Sequence, residues 1–84
     1  MSTLHTVARS PFERTALASC LRVARPGAAV LLIEDAVYAA LAGTGATPLL
    51  DEALERLEVY VLEPDLAARG VADAPRIAGV RAWC

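Results

Sequence analysis

Eighty-four residues make one small domain, because chains divide into several only well beyond that length. With 56% hydrophobic and 21% charged residues, the chain is expected to be globular, since disordered chains combine low hydrophobicity with high net charge. The net charge is −2 and all eight basic residues are Arg, scattered from Arg9 to Arg81; no basic patch exists to follow a phosphate backbone, so direct nucleic-acid binding is not expected.

Leu4-His5-Thr6-Val7 is short and β-leaning and predicts a first strand. Ser10-Pro11-Phe12-Glu13 follows as a helix start, with a hydroxyl cap, Pro at the first helical position and Glu placed to return a bond to the cap. On the helix it opens, Ala16, Leu17, Cys20, Leu21 and Ala24 share one inward arc, whereas Arg14, Ser19, Arg22 and Arg25 fall outside it. Pro26-Gly27 ends that helix. Ala28 to Ile33 is continuously apolar rather than alternating, the pattern of a central strand buried on both faces of a parallel sheet.

Glu34-Asp35 closes this strand, and Asp35 is expected to cap a short helix through Ala36–Ala42 that stops at Gly43. After a loop from Thr44, Thr47-Pro48 reads as a second cap pair, opening a helix from Leu49 to about Arg56. Leu57 to Leu62 is a β-branched and aromatic strand. Pro64 to Arg69 gives one or two helical turns ending at Gly70, and Ile77 to Trp83 a last short strand. The order β-α-β-α-α-β-α-β predicts an α/β domain over residues 1–84, with a mostly parallel sheet flanked by helices.

The longest apolar run is far shorter than the roughly 20 residues that span a bilayer, and the N-terminus has neither a basic start nor an apolar h-region, so a cytoplasmic protein is the expectation. Leu, Ile, Val and Phe together number 23, yet a chain this short hides only about 60–65% of its surface on folding. The apolar surplus points to cover by another subunit.

Chemistry-bearing residues are few. One His and two cysteines without ligand spacing argue against a metal. The absence of Lys and of Gly-rich phosphate loops argues against a nucleotide, so no cofactor is expected. Glu34 and Asp35 lie at the carboxyl end of the central strand, where open α/β sheets place ligands, but adjacent strand residues point to opposite faces and a capping role weighs more. His5 lacks a nucleophile elbow to serve and reads as a packed strand residue or a subunit contact. Cys20 is the one candidate catalytic residue. A thiolate accepts sulfane sulfur as a persulfide and passes it on, provided it is accessible and its pKa is lowered. Against that stands its place in the middle of the apolar arc, where a cysteine behaves as a small inert hydrophobe. Cys84 is terminal and reactive without being functional. Trp83 and Tyr60 read as packing or interface residues, because no basic residues interleave with them.

Leu4-His5-Thr6, Arg9-Ser10-Pro11-Phe12, Glu34-Asp35-Ala36-Val37-Tyr38-Ala39-Ala40, Val59-Tyr60-Val61-Leu62 and Asp65-Leu66-Ala67-Ala68-Arg69-Gly70, in that order and spacing, resemble the DsrH/TusB family. The resemblance implies a small three-layer DsrE-like domain. It also implies an accessory role in a cytoplasmic hetero-hexamer with DsrE/TusD-like and DsrF/TusC-like subunits, which passes persulfide sulfur to a TusE/DsrC-like acceptor. That relay leads to 2-thiouridine at the tRNA wobble position or to sulfur oxidation. In such complexes the carrier cysteine belongs to the TusD or DsrE subunit. Cys20 matches a position where DsrH-like members carry a cysteine, which makes it a possible second persulfide carrier. Relatives usually continue after the segment matching Ile77 to Val80 with a strand, an Asp-Tyr pair and a further helix. Here Arg81-Ala82-Trp83-Cys84 follows at once, so an uncovered sheet edge or apolar face is expected. A stand-alone homo-oligomeric α/β binding module that has lost the relay is the alternative.

Overall fold

The chain's apolar runs become strands of one sheet, and helical segments with one apolar side form the connections between them. The computed structural model describes residues 4–8 and 14–83. Strands β1 (Leu4–Val7), β2 (Ala29–Leu32), β3 (Glu58–Leu62) and β4 (Arg81–Trp83) pair all in parallel in the order β1-β2-β3-β4. Between them run α1 (Arg14–Val23), a 3₁₀ helix (Glu34–Ala40), α2 (Thr47–Ala53) and α3 (Glu63–Ala68). This is the α/β domain with a parallel sheet that the element order predicts. Among the described residues no helix is long and apolar enough to cross a membrane.

The register divides the strand residues between two faces. His5, Val30 and Val59 share one row and Val7, Leu32, Val61 and Ala82 the next on the same face. Val7, Val30, Leu32, Val59 and Val61 join the hydrophobic core there, with Leu21 and Ala24 at the end of α1, Val37 and Ala40 of the 3₁₀ helix, Leu50 of α2 and Leu66 of α3. Ala16, Leu17 and Ser19 lie within α1, but their side chains are outside the described residues. Leu21 and Ala24 are buried, Cys20 is half-buried, and Arg22 and Arg25 are exposed, as the inward arc requires.

One helix end is held by a distant side chain. The Arg56 guanidinium donates from Nη2 to the Leu21 carbonyl at 2.8 Å and from Nη1 to the Ala24 carbonyl at 3.2 Å. Carbonyls in the last turn lack intrahelical partners and carry the negative end of the helix dipole, so a cation suits both needs. Gly27, at φ 89, makes the turn from this end into β2. Gly70 is likewise left-handed, and α3 ends with Gly70 N–H donating to the Ala67 carbonyl and Val71 N–H to the Leu66 carbonyl. That is a Schellman stop, for which glycine is the preferred residue.

Three local expectations are corrected. Asp35 does not cap a helix at Ala36: the 3₁₀ helix already includes Glu34 and Asp35, and no side chain of the flanking Ile33 caps it. Thr47 is not the cap of α2 either. The helix includes Thr47 and ends at Ala53, Ala46 is the flanking residue, and the Thr44 hydroxyl oxygen accepts from Ala46 N–H at 3.2 Å. The Thr47 hydroxyl is buried with no partner among the described residues. The last strand is shorter than Ile77 to Trp83, because Gly79 at φ 98 turns the chain and Ile77 N–H is committed to the Ala40 carbonyl at 2.8 Å. Ile77 is buried instead against the end of the 3₁₀ helix, beside the antiparallel bridge between Leu41 and Arg76. The Ser10 to Glu13 helix start lies outside the described residues.

Candidate functional site at the carboxyl end of the sheet

Two consecutive βα connections meet at the carboxyl ends of β2 and β3. Glu34 follows β2 in a left-handed conformation, φ 51, which costs a residue with a Cβ about 1–3 kcal/mol unless its surroundings hold it. The support comes from α3, where Asp65 accepts the Glu34 N–H through Oδ2. In turn Arg69 donates from Nε to Asp35 Oδ1 at 3.0 Å and from Nη1 to the Asp65 carbonyl at 3.4 Å. Asp35 therefore faces a cation rather than a helix terminus. The pair is only partly shielded, with side-chain exposures of 24% for Arg69 and 62% for Asp35, so its contribution lies in geometry more than in energy.

This bracket joins Glu34 and Asp35, singled out as acids at the end of the central strand, to Asp65 and Arg69 of the Asp-x-x-Ala-Arg-Gly segment. Sequence spacing alone gives no sign that they meet, since partners 34 and 31 positions apart come together only through the β2–β3 pairing. The arrangement ties the 3₁₀ helix to α3 and leaves the Glu34 side chain exposed. As chemistry it provides an ion pair and a strained turn. It provides no nucleophile and no paired acids sharing a proton. Among the described residues the strand order also runs in one direction without reversal, with no switch point of the kind at which ligand crevices form in doubly wound folds. Among the described residues no group of three His, Cys, Asp or Glu side chains is placed to hold a metal ion.

Cys20 lies apart from the bracket in these interactions. It is a free thiol near the end of α1, half-buried against the hydrophobic core. Burial pushes its pKa above the usual thiol range, because desolvation penalises the thiolate. The conditions for a ready sulfur nucleophile are the opposite, a nearby cation or helix N-terminus and a lowered pKa. Its surroundings are those of a packing residue. His5 is half-buried in the inward row of β1 beside Val30. The aromatic pair lies on the other face of the sheet, where Tyr60 and Trp83 meet edge to face, with centroids 5.2 Å apart at 88°. Tyr60 Oη donates to Glu58 Oε1 at 3.2 Å, and Arg81 Nη1 lies 3.8 Å from the same oxygen. Cys84 is outside the described residues.

Comparison with known proteins places these features in a family. A family model described as "DsrH like protein" matches residues 9–82. Protein TusB of Erwinia tasmaniensis is 47% identical over 70 residues, covering 81% of this chain and 68% of the relative. Protein TusB of Klebsiella pneumoniae is 41% identical over 69 residues, with 82% and 70% covered. Protein TusB of Pectobacterium carotovorum subsp. carotovorum is 41% identical over 71 residues, with 83% and 70% covered. The matched span takes in the 3₁₀ helix, the bracket and α3, and on its extent and identity the chain belongs to the DsrH-like family.

Proposed function

We propose that this chain is an accessory subunit of a cytoplasmic sulfur-relay complex of the TusBCD/DsrEFH type. The observation that carries the reading is the family match over residues 9–82. The assignment as an accessory rather than a carrier rests on Cys20, whose half-buried, core-packed thiol with a raised pKa is poorly suited to nucleophilic sulfur transfer. In this proposal the persulfide resides on a DsrE/TusD-like partner, a DsrF/TusC-like subunit completes the assembly, and the terminal sulfur passes to a thiolate of a TusE/DsrC-like acceptor, leaving the donor thiolate behind. The destination is a wobble 2-thiouridine or the sulfur-oxidation branch. The chain contributes surface and shape as one domain over residues 1–84, and it needs no cofactor.

Purification of the tagged chain from its native host under mild conditions, with intact-mass measurement of the complex, tests this reading. Two DsrE-like partners in amounts equal to this chain are the expected result, and their absence overturns it. Within the purified complex, a Cys20→Ser chain is expected to sustain sulfur transfer to the acceptor at the original rate. A loss of transfer with the assembly intact would instead make Cys20 a carrier.

A further inference from the structure

The segment from Glu34 to Ala40 is at odds with its own sequence. Runs of 3₁₀ helix longer than about three or four residues are uncommon, because their hydrogen bonds are poorly aligned, yet this one has seven residues. The bonds at its two ends keep the tight spacing, with Ala36 N–H donating to the Ile33 carbonyl at 3.0 Å and Leu41 N–H to the Tyr38 carbonyl at 3.2 Å. Ala36, Ala39 and Ala40 belong to the best of α-helix formers. A local preference overridden in this way needs a constraint from outside the segment.

The constraint is a tether at each end. At the far end the Ala40 carbonyl accepts from Ile77 N–H at 2.8 Å, Ala42 N–H donates to the Pro75 carbonyl at 2.9 Å, and Leu41 bridges Arg76. At the near end Ile33 N–H donates to the Val7 carbonyl at 2.9 Å, so the chain between must cover a fixed span. As a 3₁₀ helix its seven residues rise about 14 Å, at about 2.0 Å each. A second arrangement covers the same span. With Glu34 and Asp35 extended at about 3.3 Å each, and Ala36 to Ala40 α-helical at about 1.5 Å each, the rise is again about 14 Å. Both arrangements keep Ala36, Val37, Ala39 and Ala40 on one side, within an arc of about 120° in the first and about 160° in the second. These are the residues of the segment that are buried.

The two arrangements use the same polar groups differently. In the first, Glu34 is left-handed, its N–H donates to Asp65, and Asp35 accepts from Arg69. In the second, Glu34 takes an ordinary extended conformation and Asp35 becomes the cap of the α-helix, accepting from a first-turn N–H. We infer that Glu34–Ala40 is a two-state switch, a bracketed 3₁₀ helix in exchange with an Asp35-capped α-helix, whose balance α3 sets through Asp65 and Arg69. The exchange re-aims Glu34 and Asp35 at the carboxyl end of the sheet while both tethers hold. A contact made on Asp65 or Arg69 is thereby read out in how these two carboxylates are presented. The inference does not depend on the relay reading.

Nuclear magnetic resonance of the full, isotope-labelled chain tests it. The native protein should show contacts from each Hα to the amide proton two residues on through Glu34–Ala40, the mark of a 3₁₀ helix. In Asp65→Ala a contact from Ala36 Hα to the Ala40 amide should emerge, the mark of an α-helix. The α population should rise about tenfold, as loss of one charge-assisted bond allows, while the amides of β2 and β3 keep their shifts. Adding Asp35→Ala removes the new cap and should lower the α population again, a reversal that mere loosening of the bracket does not produce. A folded Asp65→Ala chain without the Ala36–Ala40 contact overturns the inference. So does an α population that Asp35→Ala leaves unchanged. Should Asp65→Ala fail to fold, Arg69→Gln, which frees Asp35 from its cation, supplies the same test with the same outcomes.

Discussion

Replacing Arg56 by Met removes the guanidinium that holds the end of α1 while keeping much of the aliphatic stem. The native side chain makes two charge-assisted bonds, 2.8 Å to the Leu21 carbonyl and 3.2 Å to the Ala24 carbonyl. Bonds to a charged donor contribute roughly 1.5–3 kcal/mol each when well shielded. The site is half-buried and water replaces part of what is lost, so the pair together should be worth about 2 kcal/mol, including the favourable meeting of a cation with the helix C-terminus. In a domain of this size that corresponds to a fall in Tm of roughly 8–16 °C. Urea denaturation should show a lower midpoint at unchanged slope. Because α1 carries Cys20, its loosening should also speed the reaction of that thiol with a disulfide reagent, measured in a Cys84→Ser background to isolate the site. Arg56→Lys, a point charge without the fork, should recover less than half the loss. A change in stability below about 0.5 kcal/mol for Arg56→Met, within the range of an inert surface substitution, would refute the claim that this side chain secures the helix end.

Other consequences follow from particular groups. Glu34→Gly relieves the left-handed φ of 51 and should stabilise the protein by about 0.5–1 kcal/mol; Asp65→Ala frees the Glu34 N–H it accepts and should destabilise by about 1–2 kcal/mol, both read by chemical denaturation. The raised pKa of Cys20 has a defined sign: the unfolded thiol ionises first, so the unfolded chain binds fewer protons and stability falls as pH rises above about 8.5. Compared with Cys20→Ala across pH 7 to 10, flanking that threshold, the native chain should show the steeper loss; identical slopes would contradict the desolvated thiol. Gly79→Ala forces a Cβ into φ 98 and to 3.3 Å from Leu54 Cδ1, and should destabilise the protein by roughly 1–2 kcal/mol, read by chemical denaturation. Leu66→Ala, at a fully buried position, should cost about 2–5 kcal/mol, and a loss below 1 kcal/mol would contradict its place in the core.

Much of the fold was legible because hydrophobic pattern and punctuation are local. The continuous apolar run ending at Ile33 specified an interior strand, and β2 lies between β1 and β3. Gly70 marked the end of α3 because only a residue without a Cβ adopts its conformation cheaply. Capping was less legible. Asp35 and Thr47 have the side chains of helix caps, but a cap is decided by backbone conformation, and both residues lie inside their helices. The bond from the Glu34 N–H goes instead to Asp65, 31 residues away.

The family and the order of elements were thus contained in the sequence alone, since both depend on residue identity and spacing along the chain. Tertiary structure decided what depends on distances through space. It set Asp35 against Arg69 and Asp65 against Glu34 at the ends of neighbouring strands, and fastened α1 through Arg56. It also sorted the strand residues onto a face that joins the hydrophobic core and a second face that carries Leu4 and Trp83, exposed among the described residues. The physical reason is that a strand's alternation determines which residues share a face, but not what packs on that face; that depends on the side of the sheet each connection crosses.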